Sequence, residues 1–137
     1  MERYFSCQIV DGYLNFLDLS QNSFTGKIPD CLWHFTWLRV LNLGQNNLFG
    51  RIPYSIEYLT SLEVLYLYNN EFSGELPLSL KKCTSLSSLE LKGNKFSGNV
   101  PIWIGEELSG LYVLSLTSDK FFGTIPLQLR HMEIYKF

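Results

Sequence analysis

The residues that could carry out acid–base or metal chemistry are few and stand far apart in the sequence. His34 and His131 are separated by almost a hundred residues, and no pattern of neighbouring metal ligands accompanies either of them. Glu106 and Glu107 are adjacent carboxylates that need only be solvated. Glycine-rich phosphate-binding motifs and nucleophile elbows are absent from the sequence. We therefore predict a protein that is not an enzyme and that holds no cofactor and no metal.

Binding chemistry has better candidates, and these alternate with leucines. Tyr66 and Tyr68 flank one leucine, and Glu90 and Lys92 flank the corresponding leucine 24 residues later. Residues at this spacing project from the same side of a β-strand. Tyrosines beside a few fixed charges are typical of surfaces that bind peptides or proteins. For any single side chain, the competing interpretation is a solvated strand residue that only keeps the sheet soluble.

Outward-facing strand residues are expected to form three columns on one face. The central column is Asp18, Asn42, Tyr66, Glu90 and Ser115, its neighbour is Ser20, Gly44, Tyr68, Lys92 and Thr117, and the flanking column is Asn15, Arg39, Glu63, Ser87 and Tyr112. From these columns we predict the ligand-binding residues Arg39, Asn42, Glu63, Tyr66, Tyr68, Glu90 and Lys92.

The columns follow from a repeat that runs through nearly the whole chain. Matching segments begin at leucines spaced by 24, 24, 24 and 25 residues: Leu14, Leu38, Leu62, Leu86 and Leu111. The shared pattern is L-x-x-L-x-L-x-x-N-x-[L/F]-x-G-x-[I/L/V]-P, and all 5 prolines of the chain fall at its last position. A single repeat cannot bury its own leucines, so neighbours must stack. We predict an α/β repeat fold, a right-handed solenoid with a parallel concave β-sheet and 3-10 or irregular turns on the convex side.

The asparagine of the pattern predicts a hydrogen-bonding ladder at the turn that leaves each strand. An amide both donates and accepts, so it can satisfy the backbone groups of adjoining turns. The fifth repeat carries a carboxylate there, which when ionised only accepts and should weaken the ladder or leave a donor unmet. The ladder residues are Asn22, Asn46, Asn70, Asn94 and Asp119.

Residues 14–134 are predicted to form the repeat domain, between a non-repeat segment 1–13 and a truncated tail 135–137. Tyr135 stands where a sixth repeat should begin with leucine. The extra residue of the fourth repeat predicts a bulge over residues 105–107 on the convex side. We expect core packing for Phe24, Phe72, Phe96 and Phe121, and half-exposed packing for Trp33, Trp37 and Trp103.

Charge, hydropathy and cysteine content narrow the function classes. The net charge of −2 and the 46% apolar fraction exclude a basic nucleic-acid-binding surface and a disordered chain. No apolar run has the length of a membrane helix or the form of a signal peptide, so the chain by itself is predicted to be neither secreted nor anchored. Cys31 and Cys83 lie two repeats apart, about 10 Å along the stack and beyond disulfide reach. We predict that both are small buried or half-buried hydrophobic residues.

The full motif resembles the plant-specific class of leucine-rich repeats, from Leu14 to about Met132. That class builds the ectodomains of plant receptor-like kinases and receptor-like proteins, and also polygalacturonase-inhibiting proteins. Gly26-Lys27-Ile28-Pro29-Asp30-Cys31 and the 25-residue repeat are similar to late ectodomain repeats of receptor-like proteins of the disease-resistance and fungal-xylanase-receptor kind. The paired-cysteine caps, island region and membrane helix of such receptors are not found in this sequence, which also has no Asn-x-Ser/Thr site.

The resemblance implies a recognition module of a plant cell-surface receptor-like protein, active in pattern recognition, defence or developmental signalling. Its implied partners are a peptide or protein ligand and a co-receptor kinase, without nucleic acid and without membrane insertion by this segment. The parent protein would then lie at the plasma membrane, on the extracellular side. Two alternatives stay open: an enzyme inhibitor of the polygalacturonase-inhibiting kind, and a truncated receptor fragment with no function of its own.

Overall fold

Alternating leucines place short parallel strands side by side. A computed structural model describes residues 3–4, 7, 13–129 and 133–135. One parallel sheet, which we call the concave sheet, follows chain order along the stack. Its strands are Phe16–Asp18, Val40–Asn42, Val64–Tyr66, Ser88–Glu90, Val113–Ser115 and Glu133–Tyr135. The predicted solenoid with a parallel concave sheet is confirmed.

A second parallel sheet also follows chain order along the stack, and the sequence pattern did not predict it. Its strands are Arg3–Tyr4, Phe24–Gly26, Asn47–Gly50, Glu71–Gly74, Lys95–Asn99 and Lys120–Phe122. A central strand contributes one fully buried apolar side chain, such as Leu48 or Phe72, and is therefore too short to show apolar alternation. The repeat glycine closes the strand with a positive φ, 103° at Gly50, which a side chain at that position would disfavour.

Short helical turns form the convex side, as predicted. The 3-10 helices are Asp30–His34, Tyr54–Tyr58, Leu78–Lys82 and Leu127–Leu129. The fourth repeat instead forms an α-helix, Trp103–Glu107. The amide of Glu106 donates to the carbonyl of Ile102 at 3.3 Å, four residues back. The extra residue is thus absorbed by a wider helical turn, and the predicted bulge over 105–107 is wrong.

The core is a leucine stack lined on one side by phenylalanines. Leu41, Leu65 and Leu89 have no exposed surface. The rings of Phe72 and Phe96 stack with centroids 6.2 Å apart, and Phe96 and Phe121 stack at 6.4 Å. The predicted core role of these phenylalanines is confirmed.

The three tryptophans do not share one environment, although a single half-exposed role was predicted for them. The prediction is wrong for Trp33, because only 1% of this residue is exposed. Trp37 is 58% exposed, and Trp103 packs against the core while partly exposed.

The asparagine ladder ties each turn to the repeats around it. The Nδ2 group of Asn70 donates to the carbonyls of Leu43, Leu67 and Tyr68 at 2.9–3.2 Å. Its Oδ1 accepts the amide of Leu48 at 3.0 Å. Asn46 and Asn94 repeat this arrangement with their own neighbours.

Asp119 ends the ladder differently from the asparagines. Its Oδ1 accepts the amide of Phe96 at 3.0 Å, so the donor of the preceding repeat is satisfied. The atom without a partner is the buried Oδ2 of Asp119 itself. Burial raises the pKa of Asp119 to about 7, against the opposing effect of the Phe96 and Asn94 amides.

The prediction that Cys31 is a small buried or half-buried hydrophobic residue is also wrong, since Cys31 forms a disulfide with Cys7. The two residues are 24 positions apart, which is one repeat period, and their Cα atoms are 6.3 Å apart. A cysteine one repeat period away is within disulfide reach of Cys31, whereas Cys83 lies two repeats away. Cys83 is buried as predicted, and its thiol donates to the carbonyl of Ile56 at 3.3 Å. Burial raises the pKa of Cys83 to about 12, so this thiol stays protonated.

Both sheets run past the predicted boundaries of the repeat domain. Arg3–Tyr4 pairs with Phe24–Thr25, and Glu133–Tyr135 pairs with Val113–Ser115. In the second pairing, residue 134 lies opposite Leu114 and Tyr135 lies opposite Ser115, so Tyr135 does not take the place of a first leucine. The division into 1–13, 14–134 and 135–137 stays a prediction about the repeats, whereas the sheets extend beyond it.

Candidate ligand-binding face

Backbone pairing places the three predicted columns in register. In the central column, Asn42 lies opposite Tyr66, and Tyr66 opposite Glu90. In the neighbouring column, the carbonyls of Tyr68 and Lys92 accept amides of the preceding repeat at 2.8 and 2.9 Å. Amides of the flanking column donate to the carbonyl one repeat earlier in the same way. The structure therefore brings the predicted binding residues onto three adjacent repeats of the concave sheet: Arg39, Asn42, Glu63, Tyr66, Tyr68, Glu90 and Lys92.

Two tyrosines form the aromatic part of this face. The rings of Tyr66 and Tyr68 meet edge to face, with centroids 6.2 Å apart and planes at 63°. The Tyr68 ring lies over Gly44 of the preceding repeat, where an added Cβ would collide with it. Gly44 is consequently buried although it belongs to an outward-facing column. The glycine makes room for the ring, a role that the sequence pattern did not reveal.

Charges of both signs border the tyrosines. The ammonium group of Lys92 lies over the Tyr68 ring, 5.8 Å from its centroid, within the range of a cation–π interaction. Glu90 is half-buried beside Tyr66 and makes no ion pair or hydrogen bond with any other described side chain. This carboxylate is therefore available to a ligand.

Arg39 and Glu63 form an ion pair at the edge of the face. The Nε atom of Arg39 lies 2.6 Å from Oε2 of Glu63, and the side chains are 61% and 41% exposed. The shared hydrogen bond raises the pKa of Arg39 and lowers the pKa of Glu63 from their ordinary values. Exposed pairs of this kind add little to stability, so a ligand can replace either partner cheaply.

The central column is partly engaged in shaping its own turns. Oδ1 of Asn42 accepts the amide of Gly44 at 3.0 Å, while its amide group has no partner among the described residues. Oδ1 of Asp18 accepts the amide and hydroxyl of Ser20, and these hydrogen bonds lower the pKa of Asp18. Ser115 is buried, which closes the column to a ligand at that end.

A groove of about 470 Å³ lies apart from this face and contains none of the predicted binding residues. Its lining includes Lys27, Arg51, Phe49 and Trp33. Lys27 and Arg51 both occupy the variable position of Gly-x-Ile-Pro, in adjacent repeats. That shared offset is the signal by which the sequence could have indicated that two basic side chains lie together, beside Asp30.

Metal sites are recognised by groups of ligand side chains, and membrane-spanning helices by their length and apolar character. In the part of the chain that the structure describes, no three His, Cys, Asp or Glu side chains are grouped so that they could hold a metal ion. No helix in the same residues combines the length and the apolar character needed to cross a bilayer.

Inward leucines, an asparagine ladder and convex 3-10 turns at a 24-residue period define a leucine-rich-repeat protein. Residues 13–35, 37–59, 61–83 and 85–106 match the Leucine Rich Repeat family, and the chain belongs to it. The segment from Leu111 lies outside these matched ranges, although its strand Val113–Ser115 continues the concave sheet. No curated protein sequence matches the chain.

Solved structures of plant receptors are similar to the chain, which confirms the predicted resemblance to plant leucine-rich repeats. It is 34% identical to PEPR1 in the PEPR1–AtPEP1 crystal structure, with a TM-score of 0.80, covering 90% of this chain and 18% of that one. The Arabidopsis receptor kinase HAESA, solved with the peptide hormone IDA and the co-receptor SERK1, is 34% identical with a TM-score of 0.80, over 88% of this chain and 20% of that one. The ectodomain of SOBIR1 from Arabidopsis thaliana is 32% identical with a TM-score of 0.79, over 87% and 65%. The chain thus spans less than two thirds of each of these proteins.

Proposed function

We propose that this chain is part of the ligand-recognition ectodomain of a plant cell-surface receptor-like protein in defence or developmental signalling. The observation that carries the proposal is the tyrosine-rich concave face, in register across three repeats. Two similar proteins support it, because their structures hold a peptide hormone with a co-receptor, or AtPEP1. The mechanism would be binding alone, with signalling passed to a partner kinase.

The Cys7–Cys31 disulfide supports an extracellular location for the parent protein. Disulfides persist in oxidising compartments and are rare in the cytosol. This bridge joins the segment before the first repeat to the first repeat of the stack. A parent at the plasma membrane with its repeats on the outer side fits that chemistry.

Selection from a random library of displayed linear peptides tests the proposed site. The wild-type chain is compared with the concave variant Tyr66→Ala, Tyr68→Ala, Glu90→Lys, Lys92→Glu. We expect the wild type to enrich peptides and the concave variant to lose them. The outward positions of these residues predict that the melting temperature of the variant stays close to that of the wild type.

A matched control variant makes the same types of change on other surfaces. Tyr54→Ala and Tyr58→Ala remove two tyrosines from the convex 3-10 helix, and Glu71→Lys with Lys95→Glu reverses an exposed ion pair of the second sheet. This variant should keep the enriched peptides. Equal binding of those peptides to the concave variant and the wild type would show that the proposed site is wrong.

The inhibitor alternative uses the same fold and needs its own assay. An inhibitor of the polygalacturonase-inhibiting kind would slow fungal polygalacturonase in a reducing-sugar assay with the wild-type chain. We expect no inhibition. Stoichiometric inhibition, retained by the concave variant, would favour the inhibitor over the receptor module.

A further inference from the structure

We propose that Tyr66, Tyr68 and Glu90 form a half-cage for a cationic side chain, arginine or lysine, of a peptide ligand, and that Lys92 occupies this half-cage in the free chain. The proposal rests on the proposed function, because it takes the ligand to be a peptide on the concave face. It adds the chemistry of one ligand residue.

The two aromatic walls are set at an angle and held in place. The planes of Tyr66 and Tyr68 are inclined at 63° with their centroids 6.2 Å apart, so a cation beside one ring is near the other. The Tyr68 ring rests on Gly44, which limits its movement before a ligand binds. A cation within about 6 Å of a tyrosine ring is attracted by the negative face of that ring.

A carboxylate completes the half-cage. Glu90 lies opposite Tyr66 on the next strand and is half-buried. It forms no ion pair or hydrogen bond with another described residue, whereas the nearby Glu63 is already paired with Arg39. A partly desolvated carboxylate without a partner favours the arrival of a positive charge.

Lys92 shows that the half-cage accepts a cation. Its ammonium group lies 5.8 Å from the Tyr68 centroid, yet it makes no ion pair with Glu90. The Lys92 side chain is exposed and has a long flexible stem, so it can move into solvent at little cost. A ligand cation that contacts both the ring and the carboxylate would displace it.

The probe for this site is N-acetyl-arginine amide, compared with N-acetyl-citrulline amide, which has nearly the same shape without the charge. Both are titrated into the full chain while the tyrosine ring signals are followed by NMR. We expect saturable shifts at Tyr66 and Tyr68 with the arginine probe only. Lys92→Ala should tighten its binding by about 2- to 5-fold, because an exposed cation–π competitor of this strength is removed.

Three further variants separate the half-cage from a general effect on the face. Glu90→Gln removes the charge but keeps the shape, and Gly44→Ala displaces the Tyr68 ring while leaving every half-cage residue present. Both should weaken binding of the arginine probe by about 2-fold or more. Tyr54→Ala, on the convex side and 64% exposed in the wild type, should leave it unchanged.

The proposal is overturned if citrulline binds as tightly as arginine, if Lys92→Ala weakens binding, or if no tyrosine signal shifts even in Lys92→Ala. Its failure is distinguishable from that of the proposed function. If displayed peptides need the concave face but still bind when every arginine and lysine is replaced by glutamine, the half-cage proposal is wrong and the proposed function stands. If the arginine probe binds at the tyrosines but no peptide is enriched, the proposed receptor function is wrong and the cation site stands.

Discussion

A ladder asparagine forms hydrogen bonds with backbone groups that are buried when the leucines pack and that would otherwise have no partner. The amide group of Asn70 reaches carbonyls of two successive repeats, and its oxygen takes an amide of the earlier one. Only 6% of Asn70 is exposed, so water cannot replace it. Asn22 is exposed, and its amide group donates within its own turn, to the carbonyls of Leu19 and Ser20. The same residue type therefore contributes differently along the stack.

Asn70→Ala should destabilise the chain by about 1–3 kcal/mol, because it leaves buried backbone groups without partners. Urea denaturation followed by circular dichroism measures the change. Asn47→Ala is the control, since Asn47 is exposed and its side chain has no partner among the described residues; it should stay within about 0.5 kcal/mol of the wild type. Coincident midpoints for Asn70→Ala and the wild type would contradict the ladder's role.

Residue positions were predictable wherever the repeat period alone determines them. The period was sufficient to predict that Tyr66 stands between Asn42 and Glu90, because parallel in-register strands carry each offset into one column. The side-chain geometry within a column was not predictable in this way. That Tyr68 rests on Gly44 depends on the rotamer that the neighbouring strand allows, which no spacing encodes.

At the scale of elements, the strands with a strong alternation of apolar residues were predicted correctly, and the strands with a weak one were missed. The central concave strands coincide with pairs of buried leucines at period two, such as Leu65 and Leu67, and were predicted from that alternation. The second sheet buries one apolar side chain in a central strand and is held by backbone hydrogen bonds, so its sequence signal is small. The α-helix Trp103–Glu107 differs from the 3-10 turns of other repeats through one inserted residue, whose effect on the hydrogen-bonding pattern the count alone does not give.

The Cys7–Cys31 disulfide acts between elements, because it links the segment before the first repeat to the 3-10 helix Asp30–His34. Loop closure over a separation of 24 residues predicts about 3 kcal/mol of stabilisation through the unfolded chain. Reductant should therefore lower the urea midpoint of the wild type. The variant Cys7→Ser, Cys31→Ser should start at the lower midpoint and not respond to reductant. A wild-type midpoint unaffected by reductant would show that the bridge contributes nothing.

At the scale of the whole molecule, each repeat is stabilised by its interfaces with its immediate neighbours. A repeat that packs or hydrogen-bonds less well therefore lowers the stability of the stack through those two interfaces. The repeat that contains Asp119 is such a repeat, because the Oδ2 of Asp119 is buried and unpartnered where an asparagine would donate. By the repeat register, the carbonyls of Leu91, Leu116 and Thr117 are the acceptors that correspond to those of Asn94. A protonated carboxyl carries an O–H that can donate to them, whereas the carboxylate cannot.

The unfolding free energy should therefore fall as pH rises from about 4 to about 7. The pKa of Asp119 is about 7 in the folded chain, whereas its ordinary value is 3.8. The stabilisation that the protonated carboxyl gives to the folded chain is therefore fully present below pH 3.8 and is lost as pH rises through about 7. Asp18 and Glu63 have lowered pKa values and act in the opposite sense at acid pH, so the comparison must be with a variant that changes Asp119 alone. Asp119→Asn keeps the acceptor and restores the donor, and should be more stable than the wild type above pH 7, with an advantage that shrinks towards pH 4. Urea midpoints measured from pH 4 to pH 8 test this, and parallel curves for the two proteins would show that Asp119 is ionised in the folded stack throughout.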